Sequence, residues 1–197
     1  MAKTLEFFFD LLSPYSYLAS TQVEAVCART GAAIRWRPFL LGAVFKATEN
    51  TGPTSIPAKA KYLLKDLDDW ADHYGIPRLT YPAQFPFRVV DADRLVLVAE
   101  EQGKAGAYAH AAFTAIWAEG KDLSGPEGLA EVLRSVEMDP GRALERAAAQ
   151  EIKDALKRNG EEAVRRGSFG APTFFVGEEM FVGNDRLQFV ERALARG

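Results

Sequence analysis

The chain has 197 residues, 48% hydrophobic and 26% charged, with 24 basic against 27 acidic side chains and a formal net charge of -3. That much apolar material fills the core of one domain, or of one domain carrying an insertion, and excludes disordered and fibrous classes. Without a basic excess there is no electrostatic footprint for nucleic acid. A single cysteine, Cys27, and two separated histidines, His73 and His110, leave neither a disulfide framework nor a metal site.

Leu5 to Phe9 is a short aromatic run bounded by Asp10, the pattern of a buried strand. Lys3 stands alone ahead of it, and Glu6 and Asp10 interrupt the apolar run, so no secretory leader develops. The stretch from Ala105 to Ala118 falls short of the roughly 20 residues that span a bilayer. The chain therefore reads as cytoplasmic, without a membrane partner. Ser13-Pro14 sets a hydroxyl before a proline, the order of an N-cap and a first helical position. Ala19, Val23, Val26 and Cys27 then recur at helical spacing, which predicts a helix from about Pro14 to Arg29 that Gly31 can end. Ile34 to Arg37 alternates like a second strand that stops before Pro38. From Leu40 to Pro57 the Gly, Pro, Thr and Asn content predicts a long loop.

Leu63, Leu67, Trp70, Ala71 and Tyr74 then form a helical stripe ended by Gly75 and Pro77, and the Pro-rich loop Tyr81 to Phe87 follows. Val90 to Arg166 reads as helical, with breaks near Gly103, Gly120 to Gly128, and Asp139 to Gly141. Thr173 to Val176 and Glu179 to Val182 are strand-like runs around Gly177, a hairpin. A last helix begins near Asn184, with Leu187, Val190 and Leu194 as its stripe. Strands at both ends and helices between them predict an α/β domain made of residues 1–42 and 167–197, with 43–166 inserted as helices and loops.

Ser13-Pro14-Tyr15-Ser16 lies where a strand meets a helix N-terminus, a place where free N–H groups and the helix dipole favour negative charge. A thiolate or other anion could rest there, and an ordinary N-cap would look the same. No sequence-visible base and no Gly-x-Ser-x-Gly elbow accompany Ser13, so a hydrolase triad lacks support. A cis bond at Ala171-Pro172 would free the groups of Ala171 to pair with a ligand, whereas a trans bond would make Pro172 a strand-edge residue only. Asn184 and Asp185 open the last helix as caps; alternatively Asp185 holds a ligand ammonium while nearby helix N–H groups hold a carboxylate, which suits the amino-acid end of a peptide. Lys46 and Asn50 occupy the long loop. Trp70, Trp117 and Phe113 read as core, His73 and His110 as helix-surface or satisfied histidines, and Cys27 as a small buried hydrophobe.

Four segments, Phe9 to Leu18, Arg37 to Gly42, Gly170 to Phe174 and Gly183 to Arg186, together resemble the 2-hydroxychromene-2-carboxylate isomerases and the related kappa-class glutathione transferases over nearly the whole chain. The resemblance implies a thioredoxin-like domain interrupted by a helical insertion, glutathione as cofactor, an aromatic carboxylate as substrate, and a homodimer. Ser13-Pro14-Tyr15-Ser16 resembles the Cys-Pro-x-Cys of thioredoxin-like oxidoreductases with serine at both cysteine positions, and a serine cannot exchange disulfides. Carried over by position, Ser13 is the catalytic residue facing the glutathione sulfur, flanked by Pro14 and Tyr15. Ala171 beside Pro172 pairs with the glutathione backbone, and Asn184 with Asp185 holds its γ-glutamyl end. Lys46 and Asn50 match loop residues on the glutathione or substrate side, with Glu49 where many relatives carry Gly; Tyr81 to Phe87 resembles the substrate-side loop. Implied is a glutathione-dependent isomerisation of 2-hydroxychromene-2-carboxylate to trans-o-hydroxybenzylidenepyruvate in the breakdown of naphthalene-type aromatics. A conjugating transferase and a non-catalytic thioredoxin-like module are the alternatives.

Overall fold

The computed structural model describes residues 3–196. Among them the strands β1 (Thr4–Phe9), β2 (Ala33–Pro38), β3 (Thr173–Val176) and β4 (Glu179–Val182) form one sheet in the order β2-β1-β3-β4. β1 runs parallel to β2, and the β1–β3 and β3–β4 pairs are antiparallel. The sheet is thus assembled from both chain ends, as expected, with helices between. β1 is central, and its second half, Phe7 to Phe9, is apolar on both faces because both are covered there, whereas Thr4 and Glu6 lie toward its open start. Leu5, Phe7 and Phe9 point into the larger core, while Phe8 points the other way, against Phe39, Val44, Ala163 and Phe175.

The helices are α1 (Pro14–Thr30), α2 (Leu41–Thr48), α3 (Pro57–Tyr74), α4 (Val90–Glu100), α5 (Ala105–Trp117), α6 (Pro126–Ser135), α7 (Pro140–Ala147), α8 (Gln150–Arg165) and α9 (Leu187–Ala195). α1 ends as anticipated, Gly31 taking the left-handed conformation at φ 66° that glycine adopts without a Cβ penalty. α8 is pinned to the sheet by charge: buried Arg37 donates to Glu6 at 2.9 Å and to Asn159 at 2.9 Å, and also pairs with Glu162.

Three sequence expectations need correction. The segment 40–57 is not a continuous loop: it holds α2 and a short 3-10 turn, Pro53–Ser55. The N-cap residue of α2, Leu40, supplies no side-chain hydrogen bond. Instead Oδ2 of Asp10, at the end of β1, accepts from the Leu41 N–H at 2.7 Å, satisfying a helix-start donor from 31 positions away. β2 includes Pro38, which an edge strand tolerates because its missing N–H would not have faced a neighbour. The helical middle also breaks at Ala148 and Ala149, between α7 and α8, where no glycine or proline marks it. No helix among the described residues is long and apolar enough to cross a membrane.

Candidate active site

β1 ends in a turn that delivers Ser13 to the start of α1. Asp10 shapes that turn: its carbonyl accepts from the Ser13 N–H at 2.9 Å, and its Oδ1 accepts from the Leu12 N–H at 2.8 Å. Ser13 is the N-cap of α1 and buried; its Oγ accepts from the Ser16 N–H at 3.2 Å and donates to the Ala171 carbonyl at 3.3 Å. Pro14 occupies the first helical turn, as its missing N–H allows. The Tyr15 hydroxyl donates to Asp66 of α3 at 2.7 Å, and burial together with that carboxylate raises its pKa. Ser16 is fully buried, and its hydroxyl has no partner among the described residues.

The Ala171–Pro172 bond is cis and sits directly across from Ser13. The Pro172 carbonyl is taken by the Gly183 N–H at 2.9 Å, which ties this loop to the start of the C-terminal helical segment. The Ala171 N–H has no hydrogen-bond partner among the described residues, while its carbonyl is shared with Ser13. Sequence reasoning brought Ser13 and Ala171 together, and the structure places them in contact.

The remaining candidates divide by what their polar atoms already do. The Asn184 backbone carbonyl accepts from the Tyr74 hydroxyl at 3.1 Å and its Nδ2 approaches the same hydroxyl at 3.4 Å, so this buried residue fastens the 3-10 turn Asn184–Arg186 to α3. Asp185 is half-buried and pairs with Arg186 at 3.0 Å on the surface. Asn50 donates through Nδ2 to the Phe169 carbonyl at 2.9 Å and accepts from the Gly52 N–H at 2.9 Å. It thereby couples the end of α2 to the loop carrying Ala171. Glu49 adopts φ 56° at the C-cap of α2, the left-handed geometry that accounts for a glycine preference there. Lys46 is exposed on α2 and has no ion pair among the described residues.

One feature escaped sequence reasoning altogether, and a second was legible only in part. The first is a buried carboxylate beneath the turn: fully buried Asp93 of α4 accepts from the Leu11 N–H at 3.3 Å through Oδ1, and its Oδ2 is unpartnered. Burial, reinforced by the charge of Asp10, lifts the Asp93 pKa well above the ordinary carboxyl range, and burial also raises Asp10 against two backbone N–H donors that lower it. The signal available was a second aspartate, after Asp91, leading into the apolar run Leu95 to Ala99 of α4. The second is an aromatic wall. The Trp117 indole donates to the Leu11 carbonyl at 2.9 Å, and Tyr81 and Phe85 set their rings edge-on to it at 5.7 and 5.5 Å. Trp117 is core, as read, but Tyr81 and Phe85 keep 39% and 40% of their surface exposed, an apolar face near the Ser13 turn.

Cys27 is buried in α1, and burial pushes its thiol up to about 11, so thiolate chemistry from this chain is suppressed. Among the described residues no three His, Cys, Asp or Glu side chains gather to hold a metal ion. Two sizeable concavities lie away from the turn, one of about 690 Å³ at the start of β1 and one of about 590 Å³ between α2, α4 and α8; neither is lined by Ser13, Ala171 or Asp185. Hydrogen-bond geometry, rather than cavity size, marks Ser13 as the candidate site, because the anion-favouring helix start lies beside Ala171, whose N–H is unpartnered among the described residues.

The sequence profile of the DSBA-like thioredoxin domain matches residues 4–195. A 2-hydroxychromene-2-carboxylate isomerase of Sphingobium xenophagum is 35% identical over 98% of this chain and 99% of its own length. The isomerase of the same name from Pseudomonas putida is 38% identical over 98% and 94%. The glutathione S-transferase kappa 1 of Homo sapiens is 25% identical over 98% and 92%. A solved 2-hydroxychromene-2-carboxylate isomerase superposes with a TM-score of 0.88 at 32% identity, covering 98% of this chain and 95% of that one.

Proposed function

The chain belongs to the DSBA-like thioredoxin family and, within it, groups with the 2-hydroxychromene-2-carboxylate isomerases; from that premise we propose that it isomerises 2-hydroxychromene-2-carboxylate with glutathione held at the start of α1. The observation that carries the reading is the pairing of Ser13 with Ala171 beside cis Pro172 at a helix N-terminus, in a chain whose one cysteine is buried elsewhere. Disulfide exchange needs a thiol at Ser13 or Ser16, and both positions carry hydroxyls.

The residues present fit glutathione. The Ser13 hydroxyl and the first N–H groups of α1 favour a sulfur anion, the Ala171 N–H is an unused donor for a peptide carbonyl, and the Asp185 carboxylate suits an ammonium. Lys46 is a cation available to a terminal carboxylate. Asn50, Asn184, Pro14 and Tyr15 hold the elements that present these groups, since their own polar atoms or rings are engaged within the chain. Glutathione would supply a thiolate nucleophile that adds reversibly to a conjugated substrate. Asp10 and Asp93 fix the turn so that Ser13 does not reorganise during reaction. Tyr81 and Phe85 offer the apolar face against which an aromatic carboxylate stacks and sheds water.

The transferase reading uses the same residues and consumes the thiol; the higher identity to isomerases favours the first. The protein acts as a soluble-phase homodimer in the cytoplasm under this reading. Incubation with the chromene carboxylate and reduced glutathione, followed by the product spectrum, tests the activity. Conversion only when glutathione is present supports it; no conversion refutes it.

A further inference from the structure

The groove of about 590 Å³ between α2, α4 and α8 serves none of the roles above, and its size falls within the range of small-molecule sites. Ala43, Val44 and Ala47 of α2 and its N-cap residue Leu40 line it at helical spacing, and Leu156 and Val164 of α8 line it too. Its charges are one-sided. Arg94, Lys153, Lys157 and Arg165 line it against a single carboxylate, Glu161, which lies 3.4 Å from Lys157. Arg94 spends one guanidinium nitrogen on Asp91 at 2.7 Å, and its buried Nε has no acceptor among the described residues.

Gly160 supplies an independent argument. It lies inside α8, where glycine is among the poorest helix formers, and it lines the groove. Its backbone does not take a positive φ, and a Cβ there would meet only the Phe39 Cβ, at 4.0 Å, an ordinary contact. Neither conformation nor packing requires the glycine; what it leaves is open space in the groove wall.

We propose that this groove binds a small amphipathic anion, an apolar ring or chain ending in a carboxylate. The apolar floor takes the body and the cationic rim takes the charge. A second copy of the chain is a poorer occupant, because a two-fold contact would set the same cationic rim against itself. The site stands apart from Ser13 and does not depend on the isomerase reading.

Titration calorimetry of the full chain with dodecanoate and with 2-naphthoate tests this, with glutathione present and absent. Saturable binding of one molecule per chain by either probe, undiminished by glutathione, is expected. Joint Lys153→Glu and Arg165→Glu substitution should weaken it by about tenfold or more, and Gly160→Leu should abolish it while raising the melting temperature and leaving isomerisation intact. The melting temperatures show that the variants are folded. No saturable binding of either probe, binding unchanged in these variants, or competition by glutathione would each overturn the proposal. So would a dimer that Gly160→Leu dissociates, since the occupant would then be a second copy.

Discussion

Replacing Ser13 separates a structural cap from a chemical donor. The Ser13 Oγ makes two bonds, at 3.2 Å from the Ser16 N–H, within the N–H···O range, and at 3.3 Å to the Ala171 carbonyl, long for a hydroxyl donor. Its structural worth is therefore mostly that of an N-cap. Ser13→Ala should cost about 1 kcal/mol and Ser13→Gly only a few tenths. For a chain of this size about 1 kcal/mol shifts the melting temperature by roughly 2–4 °C. Turnover should respond differently. Losing a donor to a resident negative charge lowers the rate by more than about tenfold, and by up to about 10²–10³ where the donor is well aimed. Both variants should lose activity alike although only one loses appreciable stability. Thermal unfolding gives the first quantity, isomerisation at saturating glutathione the second, and ultraviolet thiolate absorbance of bound glutathione should report a higher thiol pKa in both variants. Activity that survives in Ser13→Gly but not in Ser13→Ala would show that Ser13 acts only by holding α1.

Asp185→Ala should weaken glutathione binding by about 1.5–3 kcal/mol, the loss of a charge-assisted bond. Its melting temperature should barely move, because its partner Arg186 is exposed; equal affinity by calorimetry would remove Asp185 from the site. Tyr15→Phe should cost about 1–2 kcal/mol by breaking the bond to Asp66, measured by urea unfolding, and an unchanged midpoint would show that α3 does not brace α1. Asp93 binds its proton more tightly folded than unfolded, so its burden on stability appears as pH rises through the ordinary carboxyl value of about 4 and is complete above its raised folded value. Asp93→Asn should therefore raise the melting temperature at neutral pH, with the difference vanishing in acid; a difference independent of pH would refute that linkage.

The fold was legible where its causes are local. Ser13-Pro14 carries its own N-cap, Gly31 and Gly75 their own left-handed stops, and the hairpin around Gly177 its own turn. α2 was illegible because the group capping its first N–H comes from Asp10, just past the end of β1, while Gly42, Thr48, Asn50 and Gly52 make the segment look like a loop. Ser13 and Ala171 could be found through motifs set at secondary-structure boundaries. The loop Tyr81 to Phe87 was legible by resemblance, but Asp93 and the packing of Tyr81 and Phe85 on Trp117 were not, since these arise from α4, α5 and a distant loop converging beneath and beside one turn.

The fate of the thiol tests the isomerase reading most directly. A trace of glutathione with excess chromene carboxylate should support many turnovers, the free-thiol concentration staying constant while the substrate spectrum changes completely, because isomerisation returns the sulfur it uses. A stable glutathione conjugate, accumulating one for one with product by mass spectrometry while free thiol falls, would contradict it and make the protein a transferase.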